Sequence, residues 1–523
     1  MRSLGGLLFV TESAEGFDNA ACRRSERIAS IAKNRRRLSR IRVTADQFLN
    51  TLNAAPVRIS RLSFVLFLIA VLGISTHISA RAADAATCTV TTQDLNLSTV
   101  QAAVNNAARG DVVCLPSGSV TWSGTLTITK GLTLQGAGYA NTVITRGGTL
   151  ISIAPDSTAI ENEEKIAVTG LTLDGAGTAL VQILVQGASP SSSKPFKNLV
   201  IGENRIRNGA TTTSNNGAIS TLGQLRGVVY GNIFDRVNVV AKIMGSDDVL
   251  EWSSGAFRQS YGTADNLYFE DNTIQFSSPF GGSDAGWIES GHSGRVAMRY
   301  NTWNWANATP AEIWDIHGFQ NWPGGQTGTM VVEYYGNTLM NAGGYRWINH
   351  RGGWGLFFNN ILSGTGGNSI DEDQMGPGST SGTGCNEDVP GDFNGEVSNT
   401  YVFNNTGNGV VRNMAPGPAG GTHCGVAENI NYFNYNSSCT ASACAAGIGR
   451  GTSAPTGTCT VGVGFWVAPT ATPTVDRSSI QSGELYKCIA PNVWAQYYTP
   501  LQYPHPLRAK GIPPMAPTSL SVR

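Results

Sequence analysis

The chain has 523 residues, 36 Lys+Arg against 36 Asp+Glu, and 63 glycines. Charged residues make up only 14%, against ~25% in an ordinary globular protein, which argues against coiled coils and helical solenoids with their charged faces. The 41% apolar content argues against wholesale disorder, which needs low hydrophobicity or high net charge.

The zero net charge is the sum of two unlike segments. Residues 1–82 hold 13 Lys/Arg and 5 Asp/Glu, a balance of +8, and residues 83–523 hold the other 23 and 31, a balance of −8. The division falls at a secretory pattern. Arg58 and Arg61 are the positive region, Leu62 to Ser75 is an apolar run of 14, and Ala80-Arg81-Ala82 is a small-residue cleavage pattern. That run is shorter than the ~20 residues of a membrane span. The expectation is a signal peptide over 57–82 and a secreted, extracellular or periplasmic protein with no membrane attachment after its removal. Residues 1–56 read as a dispensable basic extension or a mis-assigned start, so the run Arg35-Arg36-Arg37 is no evidence of nucleic-acid binding.

Eight cysteines follow the leader: Cys88, Cys114, Cys385, Cys424, Cys439, Cys444, Cys459 and Cys488. An even count in an exported chain reads as disulfides. Pairing of neighbours (88–114, 385–424, 439–444, 459–488) is the working expectation.

One helix is expected early, capped by Ser98, with Val100, Val104 and Ala107/Ala108 as its apolar stripe and Gly110 as its stop. After it, short β-rich runs recur, each closing on an asparagine: Asn204, Asn232, Asn272, Asn301, Asn337, Asn360 and Asn405. Their spacings are 28, 40, 29, 36, 23 and 45. A core period in the twenties with variable insertions is the sign of a solenoid, and the strand-like runs make it a β-solenoid. Each asparagine is expected at a bend, in left-handed geometry, bonding its equivalent one coil away.

The stretch Ser98-Thr-Val-Gln-Ala-Ala-Val-Asn-Asn-Ala-Ala-Arg-Gly-Asp-Val-Val-Cys-Leu-Pro-Ser-Gly118, with Leu132-Thr-Leu-Gln-Gly-Ala-Gly138 and Thr142-Val-Ile144, resembles the opening of proteins of the pectate-lyase-like superfamily. The resemblance spans about residues 95–435. It implies an all-β right-handed parallel β-helix with a short N-terminal capping helix over 83–435. It does not imply an activity, because that superfamily includes lyases, hydrolases, epimerases, tailspikes and adhesins. Residues 436–523 read as a disulfide-rich C-terminal cap and Pro-rich tail lying along the last coils.

Three histidines share a repeat context: Trp287-Ile-Glu-Ser-Gly-His292, Ile313-Trp-Asp-Ile-His317 and Trp347-Ile-Asn-His350. Equivalent positions of successive coils stack ~4.8 Å apart. His292, His317 and His350 are therefore expected to form a column beside Glu289, Asp315 and Asn349. Arg295, Arg346 and Arg351 lie near in sequence, and Trp287, Trp314 and Trp347 are candidate sugar-stacking residues. Indole faces stack on pyranose rings and arginines pair with uronate carboxylates. A lyase would use His or Arg as base, with Arg or Ca²⁺ to stabilise the enolate. A hydrolase would use two carboxylates, from Glu289, Asp315 and Asp284, with Asp247, Asp248 and Glu312 less well placed. The run Ser369-Ile-Asp-Glu-Asp373 is the one candidate for Ca²⁺; otherwise no cofactor is expected. Ile313-Trp-Asp-Ile-His317 is similar to a pectate-lyase strand in altered order, but the lyase's Arg-x-Pro-x-x-Arg element has no match. Gly291-His292-Ser293 with Asp247-Asp248 is similar to part of a polygalacturonase site, without its remaining elements. The expectation is a monomer that binds, and as a lyase rather than a hydrolase cleaves, an acidic polysaccharide. The alternative is a non-catalytic, adhesin-like β-helix whose stacked polar residues are a structural ladder.

Overall fold

The computed structural model describes residues 87–508 apart from 190, 191, 193, 213–215, 246–260, 310–312, 319–327, 344–345, 365–368, 373, 376–396, 417–422 and 425. The expected signal peptide, Asp247, Asp248, Glu312, Asp373 and Cys385 lie outside the described residues.

Short strands separated by bends stack in three parallel sheets. One coil runs from Leu126–Ile128 to Leu132–Gln135 to Thr142–Thr145. The next strand, Ile151–Ile153, lies in register on the first, with Leu126 opposite Ile151. Repetition builds sheet 1 of 12 strands, sheet 2 of 10 and sheet 3 of 11 among the described residues. This is a parallel β-helix, as the resemblance implied, and a β-solenoid, as the repeat implied. The period of two sends alternate side chains inward. Leu134, Val168, Ile201, Val229, Phe269, Met298, Tyr334, Phe357 and Val402 thus form one continuous column in sheet 1. All are buried.

The first coil is covered by a helix over Leu97–Asn106, with Val100 and Val104 buried beneath it. Its N-cap is Asn96, not Ser98, and Gly110 beyond it adopts φ 88°. Cys88–Cys114, Cys439–Cys444 and Cys459–Cys488 are bonded as neighbours.

The asparagines stack inside the bend between sheets 1 and 3. Each side-chain Nδ2 donates to the Oδ1 of the next, from Asn204 through Asn232, Asn272, Asn301, Asn337 and Asn360 to Asn405. The left-handed residue is not the asparagine, as expected, but the one before it: Glu203, Gly231, Asp271, Tyr300, Gly336, Asn359 and Asn404 all have φ between 55° and 67°. The turn is made by that neighbour, and the asparagine is left to saturate the bend's backbone groups.

The coils run to Tyr432–Asn434, and a four-stranded sheet over Ile448–Tyr498 follows. Its Trp466 covers stacked rings on the outer side of sheet 1: Tyr335–Phe358 at 4.7 Å and Phe358–Phe403 at 4.9 Å. The tail does not lie along the last coils. It turns back over the middle of sheet 1, where Arg508 pairs with Glu270 and Arg299 donates to the carbonyls of Leu501 and Gln502. Leu501 and Leu507 pack on the patch holding Val200 and Val228. The outer side of sheet 1 is therefore occupied by the chain's own cap and tail, and sheet 2 is where a compact titratable cluster faces outward.

Candidate functional site on sheet 2

Four strands carry the cluster: Val239–Met244, Trp287–Gly291, Trp314–Ile316 and Arg346–His350. Their register places Lys242, Glu289, Asp315 and Asn349 side by side. The flanking rows, Ala241-Ile288-Trp314-Ile348 and Ile243-Ser290-Ile316-His350, have the opposite parity and point into the core. Two residues beyond the first row the outward parity returns, at Gly291, His317 and Arg351. A Cβ on Gly291 would stand 3.3 Å from Met244 Sδ and 3.4 Å from His317 Cβ, so glycine leaves the space beside His317 open.

The charged groups touch in sequence. Lys242 Nζ lies 2.9 Å from Glu289 Oε1. His317 Nε2 lies 3.3 Å from that oxygen and 3.0 Å from Asp315 Oδ2. Arg351 pairs with Asp315 and contacts the His317 ring nitrogens, while Asn349 Nδ2 donates to Asp315 Oδ1 at 3.4 Å.

This arrangement sets the protonation states. Burial and the Arg351 charge disfavour the His317 imidazolium, but Asp315 and Glu289 outweigh them and raise its pKa. Burial pushes Glu289 up, yet His317 and Lys242 hold it below the usual glutamate range. Asp315 is held well below the carboxylate range, because His317 and Arg351 overcome its burial. The row is thus a chain of cations and carboxylates in which each charge favours the charged form of its neighbour.

The expected histidine column does not form. The distance from acid or amide to histidine is three residues at Glu289–His292, two at Asp315–His317 and one at Asn349–His350. With a period of two, only His317 returns to the outer row. His350 points inward, opposite Ile316, and is fully buried against Phe357. Its burial depresses its pKa to about 3. His292 sits past the strand end at φ 52°, half-buried in the bend toward sheet 1. Arg295 opens a strand of sheet 1, opposite Val331, and is buried. Trp314 and Trp347 are core residues at 0% and 3% exposure, so neither offers a face to a sugar. Trp287 stays half-buried on the outer side, two residues before Glu289. Arg346 begins its strand opposite Ser369. Asp284 lies in the turn before Trp287 and accepts from Ser283 Oγ. Lys242 was not anticipated, although the alternation in Val239-Val-Ala-Lys-Ile-Met244 marks it as the outward residue of an apolar strand. Among the described residues no cluster of three or more acidic, His or Cys side chains could hold a metal ion, and no helix is long and apolar enough to cross a membrane.

The coil topology decides the fold. The chain folds as a parallel β-helix. No protein-family description matches this β-helix. No curated protein sequence matches it either. Among solved structures it is similar to a Geobacillus virus E2 protein, at 13% identity and TM-score 0.29, over 60% of this chain and 61% of that one. An alginate lyase from a Paenibacillus species aligns at 16% identity and TM-score 0.29, over 54% of this chain and 96% of that one. A mannuronan C-5 epimerase A-module from Azotobacter vinelandii aligns at 14% identity and TM-score 0.27, over 65% and 86%. The β-helix spans about three-fifths of the length of the viral protein. At these values the likenesses bear on no activity, and the fold rests on the sheets themselves.

Proposed function

We propose that this is a secreted, monomeric β-helix protein that binds an acidic polysaccharide across sheet 2 and cleaves it by β-elimination. The observation that carries the reading is the Lys242–Glu289–His317–Asp315–Arg351 chain. Hydrolysis by a carboxylate pair needs one of the two protonated as an acid. Here both carboxylates are held below their usual range, and the group favoured toward its protonated form is a histidine.

Elimination suits that distribution. Arg351 and Lys242 are the cations available to a uronate carboxylate, where they neutralise the developing enolate. As Lys242 turns to the substrate it leaves Glu289 more basic, and Glu289 takes the proton from the carbon α to the carboxylate. The C–O bond at the β carbon breaks, a C=C bond forms, and His317 gives its proton to the departing oxygen. Asp315 orients His317 and Arg351. The three disulfides support an oxidising compartment.

The test is incubation of the protein with polymannuronate, polyguluronate and polygalacturonate, with and without Ca²⁺. Ultraviolet absorbance of unsaturated ends should grow in step with new reducing ends. Reducing ends without the absorbance would mean hydrolysis. Binding without either would favour the non-catalytic, adhesin-like alternative.

A further inference from the structure

Sheet 3 carries a second charged row on its outer side. The register aligns Thr145, Asp174, Arg207 and Asp235. Arg207 Nε donates to Asp174 Oδ2 at 2.7 Å, and Arg205 pairs with Asp235. Asn208 and the Ala176 amide also bond Asp174. Both carboxylates of the row are therefore satisfied by neighbouring groups.

Arg236 is the arginine left over. It follows Asp235 directly, at φ 61°, which turns it out of the strand. Its Nε is buried with no hydrogen-bond partner. An unsatisfied buried donor is unfavourable, more so when it is charged, so an acceptor that reaches the guanidinium would be favoured here. Arg236 borders a cleft of about 270 Å³, whose other walls are the chain at Ala176-Gly177 and Asn208-Gly209, with Thr211 and Phe280. Among the described residues it is the only charged one of that lining. The volume falls just under the ~300–1,000 Å³ of pockets for drug-sized ligands, so it suits one sugar ring and not a longer segment.

We propose that this cleft is an accessory subsite for a single uronic acid residue. The Arg236 guanidinium takes the carboxylate, Thr211 offers a hydroxyl, and Phe280 supplies an apolar wall for the ring. It lies on sheet 3, apart from the reactive row on sheet 2. Only the choice of a uronic acid as ligand rests on the acidic-polysaccharide reading. The subsite would anchor a polymer without taking part in its cleavage.

The test uses D-glucuronate as probe and D-glucose as uncharged control, in ligand-observed saturation-transfer NMR. The full chain carries Arg351→Ala to silence sheet 2. Glucuronate should bind in preference to glucose. Arg236→Ala should weaken it about tenfold or more, as expected for a charge-assisted bond, and Arg236→Lys should retain part of the affinity. Thr211→Tyr, which fills the cleft and keeps the arginine, should also remove binding. Circular dichroism melts identify any variant that has lost the fold. Unchanged glucuronate affinity in folded Arg236→Ala and Thr211→Tyr overturns the subsite. Polyuronate turnover by the unmodified protein is read separately. Arg236-dependent binding without any turnover keeps the subsite and discards the sheet 2 reading, and turnover with Arg236-independent binding does the reverse.

Discussion

His317 Nε2 stands 3.0 Å from Asp315 Oδ2, which lies two residues earlier on the strand Trp314–Ile316 that His317 directly follows. The aspartate raises the imidazole's pKa, and the imidazolium with Arg351 lowers that of the aspartate. Each holds the other charged. Replacing His317 by Ala should cut polyuronate cleavage about a hundredfold or more, the scale of general acid–base catalysis. Asp315→Asn should lower the His317 pKa and shift the alkaline limb of the pH–rate profile to lower pH. The check is kcat/KM against pH for both variants. A profile unmoved by Asp315→Asn would show that the pair is not in the reaction.

Glu333 lies buried under the cap, accepting from the Gly262 amide, Asn266 Nδ2 and Tyr498 Oη. Burial outweighs those bonds and pushes its pKa up to about 7. The folded state therefore prefers the protonated acid, whereas the unfolded chain releases that proton near the ordinary glutamate value of 4.5. This contribution makes stability fall as pH climbs from about 4.5 to about 7 and level off above that. Glu333→Gln keeps an acceptor for Gly262 and Asn266 and abolishes the ionisation. It should stabilise the protein at pH 8 by on the order of 3 kcal/mol. Urea midpoints at pH 5 and pH 8 measure it.

His350 titrates in the opposite sense. Its folded pKa of about 3 lies below the ordinary histidine value of 6.5, because burial disfavours the charged ring. Acid therefore works against the fold from about pH 6.5 downward, by about 2 kcal/mol at pH 5. His350→Leu should flatten that acid loss and leave polyuronate turnover intact. Thermal melts between pH 4 and pH 7, alongside the lyase assay, decide both halves. A variant that folds but cannot turn over substrate would return His350 to the site.

Asn301 carries four bonds in the ladder: its side chain donates to Phe269 O and Asn337 Oδ1 and accepts from the amide and the side chain of Asn272. Asn301→Ala leaves these partners buried and unsatisfied. The expected cost is about 3–5 kcal/mol, well above a surface substitution. Asn198→Ala, outside the ladder, is the control, and urea denaturation reads both.

The coil architecture was legible because its cause is local. Short β-rich runs ending on Asn recur along the sequence, and a parallel stack is what brings such repeats together. The row Glu289-Asp315-Asn349 could be read for the same reason. The three histidines share a motif but not a register, so the column that the motif predicts does not form. The one-residue changes in spacing from Glu289 to His292, Asp315 to His317 and Asn349 to His350 decide which side of the sheet each faces. That parity is countable in the sequence. The partner of Glu289 is not, since Lys242 is 47 residues away with the undescribed stretch 246–260 between.

A low-charge, glycine-rich β-solenoid and its internal asparagine column follow from period and composition alone, whereas the even cysteine count implies disulfides without settling which cysteines pair. Which surface is left for chemistry depends instead on long-range packing. The tail folds back over sheet 1 to satisfy Glu270 and Arg299, contacts some 200 residues apart that no local pattern encodes. Long-range packing likewise decides that His317 alone of the three histidines joins the outward row of sheet 2, since a side chain's partners there come from neighbouring coils and not from its own strand.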